Sequence, residues 1–411
     1  MRLAVIFPGQ GSQFAGMGAE LCRYQAAKEL YDLASDVLGF DLLLASADGA
    51  AGTVTQPAII THSIAAWRVL QARSGTQPIA ASGHSLGEIS ALVCAGAIEF
   101  DAAVRLAYAR GRLMASCPAG KLAVVFGLAA GEVAAVCAQL SSGIVTVGNK
   151  NSASQCVISG EVAAVDAAAG LLARRSAVVK PLRVSVAAHS PLMAPAVSPF
   201  RDLVAAAGLR DAAIPVVSSV TGQPARAAAE LAENLCRQLT GCVDWPAAVA
   251  GLRTLGADAF AEPGPKATLR DLMLSDAPSL RIIAAGADSG VPEAADQLIA
   301  WCGARAPSPD GQAVTARPVE MLLCLMRLAV GTPSAVHLGD AEHETSVRQP
   351  YAELRSMLEA ARRLPGATVD MAQAMTSTRT LLQAKGLSPA AARMAVAGAL
   401  GPSAVRLAGD A

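Results

Sequence analysis

One serine lies in a pattern that can make it a nucleophile. The segment Gly83-His84-Ser85-Leu86-Gly87 fits G-x-S-x-G, with a short apolar run before it and helical spacing after it. A sharp strand-to-helix turn needs small residues on either side of the serine, and it places the hydroxyl at a helix N-terminus, where negative charge is favoured. The pattern predicts nucleophilic catalysis by Ser85; the alternative interpretation is a glycine-rich turn with an incidental serine.

A serine hydroxyl needs a base, and the chain offers five histidines. His189 follows a predicted strand and precedes a proline-bearing loop, a position from which a side chain can reach an active site. His84 adjoins the serine, so we expect it to pack against or orient the turn, and His62 lies in a predicted helix as a structural residue. His337 and His343 lie in a late region without clear periodicity. Spacing alone leaves a structural role for His189 equally open.

The segments around the serine alternate between strand and helix patterns. Strands are predicted at 3–7 and 78–82, and helices at 16–38, from Thr55 onward and after Gly87. Such alternation is typical of a mostly parallel sheet covered by helices on both faces. This α/β arrangement would bring the serine to the end of a buried strand.

The rhythm changes between residues 121 and 190. Strands are predicted at 121–128, 144–147, 155–159 and 177–186, with helices at 132–140 and 162–174. This β-α-β-β-α-β order is the ferredoxin-like pattern. We therefore predict a small ferredoxin-like domain at 121–190, inserted into a large domain formed by residues 1–120 and 191–300.

The last hundred or so residues predict a separate helical segment. A stretch rich in Pro, Gly and Asp at 306–312 is typical of a linker, and helices are predicted at 318–330 and 350–363. We define residues 313–411 as the C-terminal extension; no catalytic motif is found in it. Two interpretations stay open: a docking module for a carrier protein or a synthase, and a helical cap on the large domain.

Composition excludes several classes of protein. Lys plus Arg (33) equals Asp plus Glu (33), so there is no overall charge for binding nucleic acid. No window holds the roughly 18 unbroken apolar residues of a membrane-spanning helix. The nine cysteines are scattered, odd in number and free of C-x-x-C pairs, which argues against a disulfide framework or a zinc site and for a reducing cytoplasm.

Several ordered motifs carry a resemblance to one family. They are Phe7-Pro8-Gly9-Gln10-Gly11-Ser12-Gln13, Thr55-Gln56-Pro57-Ala58, Gly83-His84-Ser85-Leu86-Gly87-Glu88, Arg110-Gly111-Arg112-Leu113-Met114, Asn149-Lys150-Asn151-Ser152 and Ala188-His189-Ser190-Pro191-Leu192-Met193. Together they resemble the malonyl-CoA:acyl carrier protein transacylases, including the acyltransferase domains of polyketide synthases. The resemblance covers residues 1 to about 290. It implies an α/β-hydrolase-like large domain with an inserted ferredoxin-like small one.

The resemblance also implies roles for individual residues. Ser85 would hold the malonyl ester and His189 would be the general base. The backbone N–H groups of Gln10 and Leu86 would form the oxyanion hole, where fixed amides can stabilise a tetrahedral intermediate by several kcal/mol. Arg110 would bind the malonyl carboxylate, which a planar guanidinium can grip with two hydrogen bonds.

The residues near Arg110 and His189 add two expectations about the site. Arg110 shares a helix face with Leu106, Leu113 and Met114, which predicts a partly buried cation that needs a partner. Met114, Ala188 and Asn151 are expected in the substrate pocket.

This chain departs from the family pattern at several positions. Ala188 stands where many members have a bulky aromatic residue or a serine, which would leave room for a short C2 branch on the malonyl group. The family's paired asparagines are replaced by Ser218 and Ser219, and the loop at 262–266 lacks its second glycine. The family supports its histidine with a backbone carbonyl, expected here near residues 243–245.

The resemblance implies ping-pong transfer of malonyl from malonyl-CoA to the phosphopantetheine thiol of a holo acyl carrier protein, in fatty acid or polyketide biosynthesis. No metal and no bound cofactor are required. Three alternatives stay open: the charging subunit of a malonate decarboxylase, a serine thioesterase or hydrolase that uses the same turn, and a non-enzymatic carrier-protein adaptor. The presence of Arg110 and of the 7–11 loop argues against a simple esterase, and the full set of site residues argues against the adaptor.

Overall fold

The computed structural model describes residues 1–47, 52–182, 184–286, 290–303, 325, 344–363, 371–385 and 392. The chain forms two compact units, Met1–Ala306 and Pro307–Ala411. None of the helices in these described ranges is long and apolar enough to cross a membrane.

The first unit contains eleven strands and twelve α-helices among its described residues. The strands are β1 (Leu3–Phe7), β2 (Ala80–Gly83), β3 (Lys121–Phe126), β4 (Val145–Ser152), β5 (Gln155–Gly160), β6 (Val178–Pro181), β7 (Val216–Val217), β8 (Pro224–Ala225), β9 (Val243–Asp244), β10 (Ala259–Pro263) and β11 (Arg281–Ala285). The helices are α1 (Gln25–Leu38), α2 (Leu42–Ala45), α3 (Thr55–Ser74), α4 (Gly87–Cys94), α5 (Phe100–Ser116), α6 (Ala130–Ala138), α7 (Val162–Ala173), α8 (Ala194–Ala206), α9 (Ala228–Gln238), α10 (Trp245–Thr254), α11 (Thr268–Asp276) and α12 (Val291–Gly303).

The larger sheet has six strands in the order β11-β10-β1-β2-β7-β8. All neighbours run parallel except β8, which is antiparallel to β7. β1 lies in the interior of the sheet with all five residues buried, because helices cover both faces and a fully covered parallel strand must be apolar throughout. Separate hydrophobic clusters fill the two sides, one around α3, α4 and α5 and the other around Trp245 and Phe260. The predicted sheet with helices on both faces is confirmed.

The smaller sheet has the order β6-β3-β5-β4-β9. Its first four strands are antiparallel and, with α6 and α7, follow the predicted ferredoxin-like sequence of elements. The predicted strand at 177–186 was too long. The strand ends at Pro181, whose ring removes a backbone donor, and Val186 rejoins only through an isolated bridge to Ala119.

One strand of the smaller sheet comes from a distant part of the chain. β9 pairs in parallel with β4, with Asn149 opposite Val243 and Lys150 opposite Asp244. The Lys150 Nζ–Asp244 Oδ2 ion pair, at 2.7 Å, lies across the same junction. This pairing fastens the smaller sheet to the segment that follows α9.

The described part of the second unit is helical. A short π-helical turn at Glu344–Arg348 leads into α13 (Gln349–Arg363), and α14 (Met371–Ala384) follows. The Ser377 hydroxyl donates to Glu353 Oε2 at 2.7 Å and links the two helices. The predicted helix at 350–363 is confirmed, whereas the linker at 306–312 and, apart from Leu325, the helix at 318–330 lie outside the described residues. The predicted fold class, α/β with a ferredoxin-like insertion and a helical C-terminal extension, is confirmed.

Candidate active site

Ser85 lies at the turn between β2 and α4 in the left-handed region, with φ of 50°. The flanking glycines are required by contact. A Cβ on Gly83 would lie 1.9 Å from the carbonyl carbon of Gly87, and a Cβ on Gly87 would lie 2.0 Å from the carbonyl oxygen of Phe7. The turn is therefore strained at the serine and closed against β1, as the G-x-S-x-G pattern predicts.

Replacing Gly83 by alanine is expected to unfold this turn or to lower the free energy of unfolding by about 2–4 kcal/mol, because the new methyl group overlaps backbone atoms that cannot move aside. Gly170 is the matched control: it lies inside α7, and a Cβ at this position would meet no described atom within 4 Å, so Gly170→Ala should stabilise by about 0.5–1 kcal/mol. Urea denaturation of both variants measures the difference. Equal stability of the two would contradict the close contact.

The predicted base lies beside the serine. Ser85 Oγ is 2.8 Å from His189 Nε2, and His189 Nδ1 is 2.7 Å from the backbone carbonyl oxygen of Gln238. Because a carbonyl can only accept, Nδ1 carries the proton and Nε2 is left to accept from the serine hydroxyl. Burial, aided by the positive charge of Arg110, lowers the pKa of His189 to about 3. The imidazole is therefore neutral near pH 7 and able to take a proton.

The carbonyl that orients the base differs from the expected one. It belongs to Gln238 at the end of α9, not to the segment around residues 243–245. The backbone N–H of His189 also donates to the carbonyl oxygen of Leu239 at 3.1 Å, so the end of α9 lies directly against His189. Asp244 instead binds Lys150 and accepts from Ala247 N as the N-cap of α10.

Arg110 lies on the buried face of α5, with 2% of its surface exposed. Its guanidinium donates to Gln56 Oε1 at 3.1 Å, to Gln238 Oε1 at 3.0 Å and to Ser85 Oγ at 3.3 Å. Burial lowers the pKa of Arg110 to about 10, and the negative charge of Glu88 opposes that change. Among the ion pairs of the described residues, Arg110 has none. Arg110 is thus a buried cation beside Ser85, and its hydrogen bonds among the described residues go to neutral oxygens.

The three residues predicted to line the substrate pocket each make different contacts. Met114 is buried and its sulfur lies 3.8 Å from Gln56 Nε2, next to Arg110. Ala188 is half-buried beside His189, and its carbonyl accepts from the Ser159 hydroxyl at 2.7 Å. Asn151 Oδ1 lies 3.0 Å from His84 Nε2. Asn151 therefore holds the histidine next to the serine, and that histidine packs against Trp245 with 5.9 Å between ring centroids.

Gln10 and Leu86 are the two residues predicted to supply backbone amides. Leu86 is the N-cap residue of α4, directly after the serine, and Gln10 is exposed in the turn after β1. Gly9 lets this turn approach, since a Cβ there would lie 2.6 Å from the carbonyl oxygen of His84. Gly11 is needed for its backbone conformation, since its φ is 107°. A Cβ at this position would meet no atom of the described residues within 4 Å.

Four further polar residues complete the site, and no sequence pattern had assigned them a role in it. They are Gln56, Glu88, Ser219 and Gln238. Gln56 and Glu88 stand inside the motifs that carry the family resemblance, which was the available signal. Gln238 and Ser219 lie far from the serine in the chain and match no local pattern; Ser219 is one of the two serines that replace the family's asparagines.

The chain is similar to known proteins. The profile of the acyl transferase domain family matches residues 5–277. The malonyl CoA-acyl carrier protein transacylase of Salmonella typhimurium is 38% identical over 282 residues, which are 66% of this chain and 91% of that protein. The crystal structure of an acyl carrier protein S-malonyltransferase from Vibrio cholerae, 35% identical, covers 71% of this chain and 99% of its own with a TM-score of 0.68.

A malonyl-transacylase solved in complex with its type II polyketide synthase acyl-carrier protein is also similar. It is 34% identical and has a TM-score of 0.69, with 72% of this chain and all of that one covered. These matches leave about a quarter to a third of the chain outside the shared region.

Proposed function

The chain belongs to the acyl transferase domain family, and from this premise we propose that it moves a malonyl group from malonyl-CoA to the phosphopantetheine thiol of an acyl carrier protein. The observation that carries the proposal is the buried Arg110 guanidinium, which reaches the nucleophile Ser85 but pairs with no carboxylate of the described residues. A substrate with a carboxylate two bonds from its reacting carbonyl would supply the missing anion. The names of the similar proteins described above support the same substrate.

In the first half of the reaction, Ser85 Oγ attacks the thioester carbonyl while His189 Nε2 takes the hydroxyl proton. A C–O bond forms, and collapse of the tetrahedral intermediate breaks the C–S bond. The proton held on His189 goes to the departing sulfur, so coenzyme A leaves as the thiol. The product is a malonyl ester on Ser85, whose carboxylate contacts Arg110.

In the second half, the carrier-protein thiol loses its proton to His189 and attacks the seryl ester. The C–O bond breaks, and Ser85 recovers its proton from His189. We place the oxyanion of both steps on the backbone N–H groups of Gln10 and Leu86, because Leu86 directly follows Ser85 and Gly9 lets the turn that carries Gln10 approach His84. Two such donors are worth several kcal/mol in the transition state. No step requires a metal or a bound cofactor.

We further propose that residues 121–190 form the small domain of this enzyme. We also propose that the enzyme works in the cytoplasm. The antiparallel strands β3 to β6 fall inside that range and His189 closes it. The nine cysteines are scattered and form no C-x-x-C pair, a pattern that supports a reducing compartment.

The test is intact-protein mass spectrometry after separate incubation with malonyl-CoA, acetyl-CoA and methylmalonyl-CoA. We expect a malonyl adduct that disappears when holo acyl carrier protein is added and reappears on that protein. A methylmalonyl adduct of equal yield would show that the space beside Ala188 admits a C2 branch. Release of free malonate without an adduct would support a hydrolase instead, and no product from any donor would refute the proposal.

A further inference from the structure

The side-chain amide of Gln238 lies between two charged groups. Its Nε2 donates to Glu88 Oε2 at 2.9 Å and to the carbonyl oxygen of Ser85 at 3.0 Å, while its Oε1 accepts from Arg110 at 3.0 Å. Its backbone carbonyl holds His189 Nδ1. One residue therefore contacts the nucleophile, the base and the cation of the site.

The chemistry of its neighbours fixes the direction of this amide. An ionised carboxylate can only accept hydrogen bonds and a guanidinium can only donate them. The nitrogen end must face Glu88 and the oxygen end must face Arg110. With the amide reversed, its nitrogen would meet the donors of Arg110, and the guanidinium would lose one of its three acceptors.

Glu88 is itself held in place by several hydrogen bonds. It is buried, with 2% of its surface exposed, near the start of α4. Besides Gln238, its Oε2 accepts from Ser219 N at 3.1 Å and from Ser219 Oγ at 2.7 Å. Burial raises the pKa of Glu88, whereas these donors and the charge of Arg110 oppose the rise. All three contacts to Oε2 come from donors, so this oxygen acts as an acceptor.

We propose that Glu88 is a positioning residue for carboxylate recognition: held by Ser219, it fixes the amide of Gln238 so that Oε1 aims the Arg110 guanidinium at the substrate carboxylate. Glu88 itself does not touch the substrate. The inference rests on the proposed function, because it needs an acyl donor that carries a carboxylate. It assigns Glu88 to selectivity between donors and not to the chemistry that all donors share.

The test compares acylation of Ser85 by malonyl-CoA and by acetyl-CoA, over a range of concentrations, in the wild type and in two variants of Glu88. Glu88→Met keeps the length of the side chain but removes the acceptor, so the amide of Gln238 loses its contact with a carboxyl group and is held less firmly. We expect the half-saturating malonyl-CoA concentration to rise about tenfold or more, since hydrogen bonds to charged groups are lost, while the acetyl-CoA rate changes less than about threefold. Glu88→Gln still offers an acceptor oxygen to Ser219 and Gln238 and should restore most of the malonyl preference.

A second buried glutamate provides the control. Glu262 is fully buried and accepts from the backbone N–H groups of Leu269 and Arg270 at 2.9 and 2.7 Å, neither of which contacts Glu88 or Gln238. Glu262→Gln should leave the malonyl-to-acetyl ratio unchanged. If Glu88→Met does not fold, Ser219→Ala decides, since it removes one of the donors on Glu88 and should lower the same ratio about threefold.

Equal loss with both donors, or an unchanged ratio in the variants, would overturn the positioning role and leave Glu88 as a structural carboxylate. The wild-type arm separates this outcome from a failure of the proposed function. If the wild type itself forms no malonyl adduct, the function is wrong and the inference falls with it.

Discussion

Malonyl transfer is expected to fall by about four orders of magnitude or more in the Ser85→Ala variant, because this substitution removes the hydroxyl that forms the covalent ester in the proposed mechanism. Ser85 Oγ is the atom that His189 Nε2 contacts at 2.8 Å and that Arg110 reaches at 3.3 Å. The rate of malonyl transfer to holo acyl carrier protein, followed by mass spectrometry of both proteins, measures the loss.

Ser90 gives the control for this substitution. It lies one turn further along α4, is buried, and its hydroxyl oxygen has no hydrogen-bond partner among the described residues. Ser90→Ala should therefore keep nearly the wild-type rate. A covalent malonyl adduct on the Ser85→Ala protein would show that another side chain is the nucleophile.

Loss of selectivity is the second large effect, expected when Arg110 is replaced by methionine. The malonyl carboxylate would then be buried without a partner, which costs about 3 kcal/mol or more. The ratio of malonyl-CoA to acetyl-CoA acylation rates should drop about 100-fold or more. Mass spectrometry of the seryl adduct in reactions quenched at successive times, with each donor at the same subsaturating concentration, measures this ratio.

Arg112 is the control for Arg110 because it lies on the same helix but is exposed, with its guanidinium carbon 5.8 Å from the centre of the Tyr108 ring. Arg112→Met should leave the ratio intact. If both arginine variants kept the preference for malonyl-CoA, the carboxylate would have to be bound elsewhere, and the proposed substrate would lose its main support.

The parts of the site that could be predicted from sequence are those where local geometry restricts residue type. The turn at Ser85 needs glycine at 83 and 87, since a Cβ at either position overlaps backbone. The strand β1 is apolar at every position because both faces are covered. Such requirements leave a pattern within a few neighbouring residues, where it can be found without knowledge of the fold.

The parts that could not be predicted depend on contacts between distant segments. Gln238 and Ser219 contact Glu88 across separations of 150 and 131 residues, and no pattern of neighbouring residue types predicts either contact. The backbone carbonyl that orients His189 was misplaced by several residues for the same reason. A carbonyl is present at every position, so its role leaves no trace in residue type.

The pairing of β9 with β4 has a consequence for how enzymes of this kind can be recombined. The proposed small domain, cut at its sequence boundaries, would leave behind the two-residue strand Val243–Asp244 and the acidic partner of Lys150. If residues 121–190 are exchanged between relatives, the edge strand β4 therefore arrives without the β9 strand with which it pairs in its own protein. Chimaeras that also exchange the segment from Gln238 to Asp244 would keep the edge and its charge together, and would transfer with it the backbone carbonyl of Gln238 that contacts His189.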